Sequence, residues 1–92
     1  MTEEACETFE VVNELGLHAR AAAKLVQMAE RFASKVEVEK GGQRVDAKSV
    51  MGLLLLCGTR GSKLTVYARG SDASEAVEAI GRLIAGRFGE ER

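Results

Sequence analysis

The apolar pattern of this chain changes period several times within 92 residues, and that alternation constrains its fold more than any other feature. Residues 8–12 (Thr8, Phe9, Glu10, Val11, Val12) alternate, with Phe9 and Val11 on one face, and predict a strand. Residues 13–16 form a loop. From Ala19 to Phe32 the spacing is helical: Ala22, Leu25, Val26, Ala29 and Phe32 form one stripe. The period then returns to two, with Val36 and Val38 opposite Lys35, Glu37 and Glu39. Gly41-Gly42 is a hairpin signal, because both residues tolerate positive φ. Gln43–Ala47 is the return strand, and Ser49 can cap a short helix over 50–57 with Leu53 and Leu56 inward. Residues 58–61 form a loop, and Lys63–Arg69 alternates again with Leu64, Val66 and Ala68 inward. A last helix runs from about Ala73 to Arg87, opened by an Asp72–Glu75 capping box. Its inward residues are Ala76, Val77, Ile80, Leu83, Ile84 and Phe88, while Gly81 and Gly86 weaken it modestly.

The order β-α-β-β-α-β-α, with one apolar face per strand, predicts an α+β domain of two layers. The sheet's other face should be wet, carrying Thr8, Glu37, Glu39, Thr65 and Tyr67. Composition narrows the function. Thirteen basic against fourteen acidic residues give a net charge near −1, which removes the electrostatic case for nucleic acid. Gly58-Thr59-Arg60-Gly61 matches the GxxG loop of KH domains, but a strand follows it where those domains have a helix. The longest apolar run, Leu53–Cys57, is far below the roughly 18 residues of a membrane span. The acidic start Thr2-Glu3-Glu4 does not read as a secretion signal. Cys6 at the edge of the first strand and Cys57, expected to be packed, are read as free thiols in a reducing cytosol. With one histidine and two distant cysteines no metal cage is expected.

That histidine lies in Gly16-Leu17-His18-Ala19-Arg20, at a loop-to-helix junction. Helix starts leave free N–H groups and a partial positive charge, and so suit anions such as phosphate. The same charge discourages protonation of the ring, and neutral imidazole is the nucleophilic form. Arg20 can offer a charged contact to a phosphoryl oxygen. The group could therefore hold a phosphoryl on nitrogen without metal or cofactor, although a lone histidine is more often a surface or packing residue. In Lys48-Ser49-Val50-Met51-Gly52, Ser49 reads as an N-cap. Val50, Met51, Leu54 and Leu55 lie on the side away from Leu53 and Leu56. They are either further core or an exposed apolar surface for a partner.

The two motifs together, Gly16-Leu17-His18-Ala19-Arg20 and Lys48-Ser49-Val50-Met51-Gly52-Leu53, resemble the HPr family. These are the histidine-containing phosphocarriers of the bacterial phosphoenolpyruvate-dependent phosphotransferase system. The resemblance covers about residues 7–88, including Phe9, Val11, the double-glycine hairpin, the Gly61 turn and the Gly70 strand end. It implies a single domain over 1–92, an open-faced α+β sandwich whose antiparallel sheet has order 1-4-2-3, with three helices on one face. It implies that His18 is phosphorylated on Nδ1 and that Arg20 contacts the phosphoryl group. Ser49 matches the serine modified by a dedicated HPr kinase. Leu17, Lys24, Gln27, Lys48, Val50, Met51, Leu54 and Leu55 match the surface that meets enzyme I and the IIA proteins. Such a protein is a cytoplasmic, monomeric substrate of enzyme I rather than an enzyme. The alternative is a regulatory homologue acting in nitrogen or carbon control by binding, against which retention of His18 argues. Ala21 departs from the family's usual proline, Gln27 and Glu30 stand where many relatives are basic, and Leu54 and Leu55 are unusually apolar. The leucine run and Ala85-Gly86-Arg87-Phe88 are somewhat similar to the nitrogen-linked branch.

Overall fold

A computed structural model describes residues 2–92. The strands are β1 (Glu3–Glu10), β2 (Lys35–Lys40), β3 (Gln43–Asp46) and β4 (Lys63–Gly70). The helices are α1 (Ala19–Ala29), α2 (Val50–Leu55) and α3 (Ala73–Ala85), followed by a single 3-10 turn at Arg87–Gly89. The sheet has the order β1-β4-β2-β3, and every neighbouring pair is antiparallel. Val36, Val38, Leu64, Val66 and Ala68 are buried on the face the helices cover, where Leu25, Leu53, Ile80 and Ile84 meet them. The other face is open, and there the Arg44 guanidinium lies 3.8 Å from the centre of the Tyr67 ring. Gly41 and Gly42 have φ of 57° and 85°, as the tight β2–β3 hairpin requires.

Element boundaries differ from the sequence expectation for identifiable reasons. Strand β1 begins at Glu3 and ends at Glu10, not at 8–12, because it pairs with β4 over eight residues from Glu3↔Gly70 to Glu10↔Lys63. Its first half is polar and shows no alternation, so its backbone pairing leaves no hydrophobic trace. Val11 lies beyond the strand, fully buried, and its amide donates to Ser62 O at 2.9 Å. Helix α1 stops at Ala29, and Phe32 packs half-buried from the turn that follows. Gly81 is more than a weak helix former: a β-carbon there would collide with the Phe9 ring, so the missing side chain lets β1 and α3 approach. Cys57 is exposed rather than packed, because the chain leaves α2 through a left-handed residue there (φ 52°).

Asp72 is the N-cap of α3 but makes no capping hydrogen bond, contrary to the capping box expected with Glu75. Its carboxylate instead accepts from the amides of Ala33 and Ser34, both at 2.9 Å, and from the Ser34 hydroxyl. These bonds, the Ser34 hydroxyl first, hold its pKa below the ordinary carboxylate value. Gly70 completes this junction with φ of 151°, and a β-carbon there would stand 2.5 Å from Ser34 Oγ and 2.7 Å from Ser34 Cα. Gly70→Ala is therefore expected to destabilise by about 1–3 kcal/mol, read as a lower urea midpoint at unchanged slope. An unchanged midpoint would show that the junction yields at no cost.

Candidate functional site

The loop between β1 and α1 is fastened before the helix begins. Leu17 N donates to Gly58 O at 2.7 Å, and Gly61 N donates to Val11 O at 2.7 Å. Gly16 makes this approach possible: its φ is 68°, and a β-carbon would lie 2.5 Å from Gly58 O. The chain then enters α1 with His18 as the N-cap residue in extended conformation (φ −78°, ψ 178°). The cap acceptor is the imidazole itself, since Nδ1 accepts from the Arg20 amide at 3.3 Å. Ala21 sits in the first turn, where amides have no partner within the helix and the family's proline would also fit.

The other edge of the ring meets residues from the end of the described chain. His18 Nε2 is hydrogen-bonded to Glu90 Oε2. The second oxygen of Glu90 accepts from Asn13 Nδ2 at 2.9 Å, and Asn13 Nδ2 also donates to Gly16 O at 2.8 Å. Asn13 is fully buried, and with both amide hydrogens spent it fixes the Glu90 carboxylate in place. Hydrogen bonds from His18 and then Asn13 lower the Glu90 pKa, so the group is a carboxylate at neutral pH. The contacts together assign the ring's tautomer: Nε2 carries hydrogen toward the carboxylate, and Nδ1 keeps its lone pair toward the helix amide.

The ring lies in an open cleft of about 860 Å³ that Arg20, Lys24, Glu14, Leu15, Glu91 and Arg92 also line. Arg20 and Lys24 are thus brought beside His18, and the Lys24 ammonium donates to Phe88 O at 2.6 Å. Among the described residues, no three His, Cys, Asp or Glu side chains converge as a metal site would need.

The remaining residues singled out in the sequence separate into two groups. Ser49 caps α2, its hydroxyl accepting from Gly52 N at 3.0 Å. Met51 and Leu55 are 72% and 64% exposed, Gln27 is exposed, and Val50 and Leu54 are half-buried against the core. Leu17, expected on the docking surface, is only 5% exposed and packs inside, under Gly58. The Lys48 ammonium is taken up by the carbonyls of Phe32 and Ser34, at 3.1 and 3.2 Å, and ties α2 to the end of α1. Asn13 and Glu90 were not foreseen. An asparagine in a glycine-containing loop has a bland reading as a turn residue, and nothing in the local sequence marks Glu90. Leu15, 70% exposed beside His18, was likewise assigned only to the loop.

An open-faced α+β sandwich whose single histidine caps the first helix at the edge of an open cleft defines a class of small single-site domains. Comparison with known proteins identifies the family. Residues 5–86 match the family model described as the PTS HPr component phosphorylation site. The chain is 50% identical over 80 residues to the phosphocarrier protein HPr of Cupriavidus necator, covering 87% of this chain and 90% of that protein. It is 44% identical over 84 residues to the HPr of Neisseria meningitidis, covering 91% and 94%. The crystal structure of HPr from Thermoanaerobacter tengcongensis superposes with a TM-score of 0.91 at 43% identity, covering 96% of this chain and 99% of that one. The chain belongs to the HPr family, the phosphocarrier proteins of the phosphotransferase system.

Proposed function

We propose that the protein accepts a phosphoryl group on Nδ1 of His18 from phosphorylated enzyme I and passes it to a IIA component. The observation that carries this reading is the Nδ1 lone pair, presented at the start of an eleven-residue helix and bonded to the Arg20 amide at 3.3 Å. A phosphoryl on that nitrogen would place oxygens against the same amide and within reach of the Arg20 guanidinium. Phosphoryl transfer depends mostly on positioning and charge stabilisation, so the carrier needs only a nucleophile, donors and a docking face. Enzyme I supplies the catalysis, and the carrier is its substrate. Incubation with enzyme I and radiolabelled phosphoenolpyruvate should give one acid-labile, base-stable label per chain. An acid-stable label, or none, would refute the relay.

Leu15 lines the His18 cleft, Met51 lies in the first turn of α2 and Leu55 ends that helix; all three are exposed, and in this reading they form the apolar part of the docking surface. Met51 suits a face that must accept both donor and acceptor proteins. Met51→Asp is expected to weaken enzyme I binding by more than about 1 kcal/mol while changing stability by less than about 0.5 kcal/mol. Isothermal titration and urea unfolding read the two effects separately. A large loss of stability with unchanged binding would place Met51 in the core instead. Ser49 is the regulatory position of this reading. A phosphate there brings about −1.5 to −2 charge to the edge of the same apolar face, which opposes docking while leaving the core untouched.

A further inference from the structure

None of the four residues of Gly58-Thr59-Arg60-Gly61 lines the His18 cleft, yet the turn they form is bonded to both ends of the loop that leads to His18. Val11 opens that loop: its amide donates to Ser62 O at 2.9 Å, and its carbonyl accepts from Gly61 N at 2.7 Å. Leu17 closes it, one residue before His18, with its amide on Gly58 O at 2.7 Å. The turn is itself braced, since Thr59 N donates to Cys57 O at 2.9 Å and Ser62 N to Thr59 O at 3.0 Å.

The Leu17 contact has no slack. A β-carbon on Gly16 would lie 2.5 Å from Gly58 O, and one on Gly58 would lie 3.1 Å from Leu17 Cβ. The Leu17 side chain is buried, so the residue cannot swing outward without giving up its packing. Cys57 enters the turn with φ of 52°, a left-handed angle that a residue with a side chain keeps only where its surroundings over-determine it.

We infer that Gly58 is a positioning residue for phosphoryl transfer, its carbonyl fixing where the His18 ring stands when a partner docks. The inference rests on the His18 relay proposed above. The carbonyl acts through Leu17, whose amide it holds. On the other side His18 starts α1, its own carbonyl accepting from Ala22 N at 2.8 Å. The ring is thus suspended between the turn and the helix. A donor seated on the docking face brings its phosphorus to a place set by that face, and Nδ1 must already stand there. Misplacement by about 1 Å costs on the order of a hundredfold in such a step. The turn also continues directly from α2, which carries exposed Met51 and Leu55, so docking face and nucleophile are joined by one short piece of chain.

The bond can be removed without changing a side chain. Total synthesis of the 92-residue chain with Leu17 replaced by its α-hydroxy acid puts an ester oxygen in place of the N–H. The same replacement at Ala76, whose amide donates to Asp72 O at 3.0 Å in the first turn of α3, is the control. Each protein is assayed as a substrate of enzyme I, and separately with phosphoramidate, a small phosphoryl donor that reaches the ring without docking. The Leu17 ester is expected to lower kcat with enzyme I about tenfold at unchanged KM, while the rate with phosphoramidate stays at the wild-type value. The Ala76 ester should match wild type with both donors. Gly16→Ala, which drives a β-carbon onto Gly58 O, perturbs the same contact from the other side and should show the same split. Wild-type kcat in the Leu17 ester, or an equal fall in both esters, would overturn the role given to Gly58. So would a parallel loss with phosphoramidate, since the bond would then govern the ring's reactivity rather than its place. Wild-type protein that takes no label from enzyme I would instead refute the relay itself.

Discussion

Replacement of His18 is expected to abolish phosphoryl labelling by enzyme I and phosphoenolpyruvate completely, because no second imidazole exists in the chain. The choice of substitution decides how cleanly this reads. His18 caps α1 through Nδ1, so His18→Ala also removes a cap, at a cost of about 0.5–2 kcal/mol. His18→Asn supplies a side-chain oxygen to the same Arg20 amide and should recover most of that stability. The two variants should thus differ in thermal midpoint and agree in carrying no label. Full labelling of His18→Asn would place the acceptor elsewhere and remove the basis of the relay.

The second large effect is on stability. Phe88 is fully buried at the end of the helical layer, and Phe88→Ala is expected to cost about 3–5 kcal/mol in urea unfolding. A further consequence distinguishes this position from other core sites. Arg87 and Phe88 both have left-handed backbone angles, φ of 60° and 53°. That conformation costs roughly 1–2 kcal/mol per residue and persists only while the buried ring holds it. Removing the ring should let the segment relax and draw Glu90 away from His18. Hydrogen exchange of residues 86–92 should rise well beyond what global destabilisation explains. A cost below about 1 kcal/mol, with unchanged exchange, would mean that the segment is held by its backbone alone.

The parts of the fold that bury apolar side chains at regular spacing were legible in the sequence. Val36 and Val38 in β2, Leu64, Val66 and Ala68 in β4, and the stripe of α3 all face the core as the periods required. The Gly41-Gly42 turn and the Ser49 cap followed from local backbone chemistry in the same way. What escaped was polar and distant in sequence. The first half of β1 pairs with β4 through its backbone, and its alternation is masked by Glu3, Glu4, Cys6 and Glu7. Asp72 had the right spacing for a capping box, but its carboxylate is spent on Ala33 and Ser34, nearly forty positions away. At the site, His18 and Arg20 could be named from a short motif. Asn13 and Glu90 could not, because their value depends on a meeting that only the folded chain brings about. Leu17 lies within the motif and was placed on the docking surface by the family resemblance, yet it packs inward under Gly58.

The bond between His18 and Glu90 spans 72 positions, and that between Asn13 and Glu90 spans 77. A ribosome adds Glu90 after all four strands and all three helices have been made. The sheet can close once β4 has emerged and found β1, yet the imidazole then still lacks its carboxylate and the anchor at Phe88. Synthesis therefore passes through a folded but incompletely furnished carrier. A chain cut before residue 87 should therefore present the His18 ring without its carboxylate and without the Phe88 anchor.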